Sequence, residues 1–97
     1  MTIVALLGAA GPVLADDYDL VVKKNCLACH QIDKRKYGPN FKEVAAKYAD
    51  QKGAADVLAK KIRRGGTGVW GQDVMPPQPQ VSAAEALALA RYVLSLK

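Results

Sequence analysis

The pentapeptide CLACH, Cys26 to His30, holds both cysteines and the only histidine of the chain. Any soft-ligand chemistry of this protein is therefore concentrated in five residues. The rest of the sequence must supply a scaffold that suits one use of that motif and excludes the others.

The scaffold reads as helix throughout. Asp16 or Asp17 is placed to cap a first helix that carries Tyr18, Leu20 and Val21 and runs into CLACH. The stretch QIDKRKYGPN is a polar loop broken by Gly38 and Pro39. Asn40 with Glu43 three positions later resembles a capping box, and Phe41, Val44, Ala45 and Tyr48 give the apolar face of a second helix. Ala55, Leu58, Ala59 and Ile62 repeat that spacing in a third, which Gly65 and Gly66 end after a basic last turn. Ser82 and Glu85 form another capping box. The last helix then runs to about Leu96, with Leu87, Ala90, Val93 and Leu94 on one face. Its small alanines would let the first helix cross closely.

These elements describe an all-α domain of about four helices. At 97 residues the chain is one small domain. The apolar faces are thin for a self-sufficient core, and small domains often complete theirs with a disulfide, a metal or a cofactor. Between the third and last helices lies GGTGVWGQDVMPPQPQ, a long loop rich in glycine and proline. Such loops in small domains are usually functional or wrapped around something.

Residues 1–15, MTIVALLGAAGPVLA, are set apart by having no charged side chain. With Val13 and Ala15 at the positions a signal peptidase reads, they are expected to be a secretory signal, truncated in its basic n-region. The run is too short for a membrane span. Residues 16–97 then form the mature domain, exported to the periplasm, and carry the whole net charge of +5.

CLACH can now be weighed. A simple disulfide suits an exported protein, but it explains neither the adjacent histidine nor the thin core. A thioredoxin-like dithiol needs a β-α-β scaffold that this chain lacks. Structural zinc needs four ligands, and only three are offered. Covalent haem accounts for all of it, because C-x-x-C-H is the c-type attachment signature. Two thiols at this spacing add to the two vinyl groups of one porphyrin, and the following imidazole reaches the iron. With His30 used, the second axial position must go to another residue. Met75, the only methionine besides the initiator, sits in the Gly/Pro loop before Pro76 and Pro77 and is the expected sixth ligand.

CLACH, YGPNF, GGTGVWG and MPP, in this order, resemble the short bacterial class I cytochromes c of the c-551/c-552 type. The resemblance covers residues 17–97. It implies a compact class I fold with the N- and C-terminal helices crossing over one covalently attached haem c, bound by thioether bonds to Cys26 and Cys29. It implies His30 and Met75 as axial ligands, the Pro39 carbonyl as acceptor for the other ring nitrogen of His30, and Trp70 and Lys61 at a haem propionate. It also implies a periplasmic one-electron carrier between respiratory redox partners, not an enzyme. The chain departs from the pattern at Tyr37, at Tyr92, in a longer QPQVS segment, and at Gln78, which stands where an amide would steady the methionine sulfur.

Lys23, Lys24, Lys34, Arg35 and Lys36 surround the motif, and Lys60, Lys61, Arg63 and Arg64 cluster at the end of the third helix. This charge is expected to steer transient encounters with acidic docking surfaces of a reductase or oxidase. A monomer is expected, with no stable membrane insertion after signal cleavage. Nucleic acid is not an expected partner, since the few aromatics are not interleaved with the basic run. The alternative is an open-site c-type haem protein, a ligand sensor or peroxidatic centre, if Met75 does not bind the iron.

Overall fold

The computed structural model describes residues 15–96, so the signal segment expected over residues 1–15 lies, but for Ala15, outside the described residues. Four α-helices follow in order: α1 (Ala15–Lys23), α2 (Phe41–Tyr48), α3 (Ala54–Arg64) and α4 (Ala83–Leu94). Among the described residues the one β-type pairing is an isolated antiparallel bridge between Gly66 and Met75.

Both capping boxes form. The Asn40 side chain accepts from the Glu43 amide at 2.7 Å, and the Glu43 carboxylate accepts from the Asn40 amide at 2.9 Å. Ser82 and Glu85 exchange the same pair of bonds, at 3.1 and 2.9 Å. Each box satisfies amide groups that the first turn of a helix otherwise leaves open.

Helix α1 is described from Ala15 onward, so the cap expected at Asp16 or Asp17 lies at the edge of the described residues. The end of the helix differs from the expectation, because it stops before CLACH. Asn25 adopts a left-handed conformation (φ 67°, ψ 24°), which asparagine tolerates better than most residues, and Cys26–Ala28 form a separate 3₁₀ turn. That break turns the cysteines out of the α1 axis.

Helix α4 is the hub, packing against α1, α2 and α3. Its buried residues are Ala86, Leu89, Ala90 and Val93. Leu87 and Leu94, expected on that face, are only half-buried. The helix is apolar almost all round, so periodicity could not choose its inner face; the crossing helices chose it. Val21 of α1 is fully buried, and Tyr18 packs on Tyr92 with ring centroids 6.4 Å apart. The buried core holds no polar or charged residue among those described.

Candidate haem site

Between α2, α3, α4 and the two long loops lies a cavity of about 200 Å³. Phe41, Val44 and Tyr48 of α2, Leu58 and Ile62 of α3, and Leu89 and Val93 of α4 contribute to its apolar lining. The thin core anticipated from the helix faces is this space. The structure brings all seven expected site residues to it: Cys26, Cys29 and His30, then Pro39, Lys61, Trp70 and Met75.

His30 is held on three sides. Its Nδ1 donates to the Pro39 carbonyl at 2.8 Å, which leaves Nε2 as the nitrogen with a free lone pair. The ring stacks on Phe41 with centroids 5.2 Å apart. It also lies against bare backbone, since a Cβ on Gly38 would come within 2.6 Å of His30 Cε1. The Gly38 amide in turn donates to the Cys29 carbonyl at 2.8 Å, folding the loop back over the motif.

No disulfide joins Cys26 and Cys29. Burial pushes the Cys26 thiol above its ordinary value, against the opposing pull of a backbone hydrogen bond. No group of three or more His, Cys, Asp and Glu side chains is arranged to hold a metal ion by itself among the described residues. The zinc and disulfide readings of CLACH therefore gain nothing from the geometry.

Met75 is placed by backbone. Its amide donates to the Gly66 carbonyl at 2.8 Å, and its carbonyl accepts from the Gly66 amide at 2.9 Å. Gly65 lies so close to this pair that any Cβ there would collide with the Met75 carbonyl oxygen, and its φ of 75° combined with a ψ of −169° suits glycine alone. Gln78 lines the cavity too, and its amide donates to the Pro76 carbonyl at 2.9 Å.

Trp70 is half-buried. Its carbonyl accepts from Arg35 at 2.6 Å, and the Lys47 ammonium stands 5.6 Å from the centre of its ring. Lys61 comes from the last turn of α3 and is half-buried at the cavity. Gly38, Phe41, Lys47 and the structural part of Arg35 were missed by reasoning from the motif. Only the Gly38 position, next to Pro39 in a short loop, carried a sequence signal.

An imidazole, a thioether and two thiols line one apolar hollow, side chains that fit a covalently attached haem. The cytochrome c family model matches residues 18–97. The chain belongs to the cytochrome c family. Cytochrome c-552 of Nitrosomonas europaea is 54% identical over 81 residues, which are 84% of this chain and 79% of that protein. Cytochrome c-552 of Hydrogenobacter thermophilus is 48% identical over 95 residues, 98% of this chain and 95% of that one. The crystal structure of wild-type Nitrosomonas europaea cytochrome c552 superposes with a TM-score of 0.81 at 54% identity, covering 82% of this chain and 99% of that one. The expected all-α, class I cytochrome c fold is therefore the fold found. As a cytochrome c, the chain is an electron carrier with covalent haem c rather than an enzyme, and its two cysteines fit thioether attachment.

Proposed function

We propose that this cytochrome c is a periplasmic one-electron carrier whose iron is bound by His30 and Met75, with the haem attached through Cys26 and Cys29. The observation that carries the reading is the convergence of these four side chains on one apolar cavity, with His30 Nδ1 already committed to Pro39. Bound haem c supplies an iron that changes oxidation state by one electron.

The chain's residues set how that happens. The Pro39 carbonyl holds the imidazole in one orientation, with Nε2 directed as the ligating nitrogen. The Met75 sulfur favours the reduced state relative to a second histidine. The apolar lining disfavours the additional charge of the oxidised state and keeps water out. With His30 and Met75 both bound to the haem iron, no position would remain for substrate and little would have to rearrange between oxidation states. Trp70 and Lys61 hold a propionate. Residues 1–15 are the leader that sends residues 16–97 to the periplasm. No helix of the described residues is long and apolar enough to cross a membrane, and the mature domain acts as a monomer.

Encounter with redox partners follows from the cavity's rim. Tyr37, Val69 and Val74 border it and are 64%, 48% and 68% exposed, an apolar contact zone for brief docking. Lys34, Lys36, Lys60, Arg63 and Arg64 are exposed, while Lys24 and Arg35 are already paired with Glu85 and Glu43. The exposed cations steer acidic surfaces of a reductase or oxidase, and added salt slows the encounter.

The visible spectrum of the exported protein tests the site. Sharp c-type bands that survive denaturation, with a weak far-red sulfur-to-iron band in the oxidised protein, are expected. The reduced protein should not bind carbon monoxide at neutral pH. Immediate binding would detach Met75 and turn the reading toward a ligand-binding haem.

A further inference from the structure

Among the described residues, one side chain hydrogen-bonds the loop carrying Met75 to the segment carrying His30. Arg35 Nη2 donates to the Trp70 carbonyl at 2.6 Å, and Arg35 Nη1 lies 3.5 Å from Glu43 Oε1. Among the described residues, no other hydrogen bond joins residues 26–40 to residues 65–78. Both ends of this tether are anchored. Glu43 is locked into the first turn of α2 by its capping box with Asn40. The same helix supplies Phe41, stacked on His30, and Lys47, over the Trp70 ring.

At the other end, the loop from Gly66 to Met75 is closed on itself. The Gly66–Met75 pair ties its base, the Gly68 amide donates to the Gly71 carbonyl, and Thr67 Oγ1 reaches the carbonyls of Gln72 and Asp73. A loop bonded this way moves as one body. A hold on Trp70 is therefore a hold on Met75.

We infer that Arg35 is a positioning residue that keeps the Met75 loop shut against the His30 segment, and so sets how readily an external ligand displaces the methionine sulfur. The inference rests on the His30/Met75 reading above. An external ligand reaches the iron only when the loop opens, so its apparent affinity scales with the open fraction. Releasing the tether raises that fraction without altering either axial side chain. The ion pair with Glu43 is roughly half exposed and contributes little on its own. The short charge-assisted bond to the Trp70 carbonyl is the main link.

The test uses intact haem-loaded protein: wild type, Arg35→Ala, Arg35→Lys and Lys34→Ala. Each oxidised protein is titrated with imidazole at a pH where imidazole is neutral, following loss of the far-red band. A urea midpoint is measured on each in parallel. Arg35→Ala should bind imidazole roughly three- to tenfold more tightly than wild type, the range expected for losing one partly exposed charged hydrogen bond. Arg35→Lys, which keeps the charge but loses the fork that reaches Trp70 and Glu43 together, should lie between, and Lys34→Ala should match wild type. Equal imidazole affinity in Arg35→Ala and wild type overturns the tether, even where the urea midpoint falls. An equal effect of Lys34→Ala also overturns it, by reducing the effect to charge. Absence of the far-red band from the wild type would instead remove the His/Met reading, and the tether with it.

Discussion

Gly38→Ala is the most telling single substitution at this site. A Cβ at residue 38 would stand 2.6 Å from His30 Cε1 and 2.9 Å from Nδ1, where ordinary contact begins at 3.4 Å. The ring or the backbone beneath it must yield by about 0.8 Å to restore that contact. The ring has little freedom, being tied to Pro39 at 2.8 Å and stacked on Phe41. Overpacking of this kind costs about 1–3 kcal/mol. A His30–Pro39 bond stretched past ~3.2 Å forfeits most of its roughly 1 kcal/mol. Together these amount to about 2–4 kcal/mol, or a fall in melting temperature of roughly 8–30 °C for a domain of this size. The reduction potential should also rise, because an imidazole that loses its carbonyl partner is a weaker donor to the oxidised iron. Gly66→Ala is the internal control: nothing lies within 4 Å of its added Cβ, so a change within about 0.5 kcal/mol is expected. Thermal unfolding by circular dichroism and protein-film voltammetry measure both effects. Equal melting temperatures and potentials for the two alanine variants would refute the argument that His30 is held by close backbone packing.

Other outcomes follow from the same structure. Met75→Ala should abolish the far-red band and let the reduced protein bind carbon monoxide at neutral pH, measured by the shift of the main absorption band. Ser82→Ala removes the side-chain acceptor at the head of α4 and should cost about 1 kcal/mol, some 4–8 °C in melting temperature. The Glu85 carboxyl is held below its ordinary 4.5 by the Ser82 backbone amide first and by Lys24 second. Its contribution is present above 4.5 and disappears as the pH falls through the lower folded value. Urea titrations of Glu85→Gln across that acid range should therefore show a shallower loss of stability than wild type. Parallel slopes would count against the carboxylate's role.

What the sequence determined by itself was local. The two capping boxes need only four consecutive residues each, so Asn40–Glu43 and Ser82–Glu85 marked the starts of α2 and α4 without any knowledge of their neighbours. CLACH was legible for a related reason: the distance between two thiols and the next imidazole is set by a few bonds of backbone and is nearly independent of the fold. The Met75 loop could be found because its glycines and prolines exclude regular structure. The features that sequence reasoning missed depend on residues far apart in the chain. Helix α4 is apolar almost all round, so only packing against three other helices selected Ala86 and Leu89 over Leu87. The left-handed Asn25 ends α1 before the cysteines, and asparagine alone does not demand that conformation. The contact of Gly38 with His30, the reach of Arg35 to Trp70 and the stand of Lys47 over the same ring are tertiary facts. Each joins two surfaces whose relative position is settled only when the helices close around a common centre. Chemistry confined to a few bonds is written in the order of the residues, whereas the hold on that chemistry comes from side chains that meet across the folded chain.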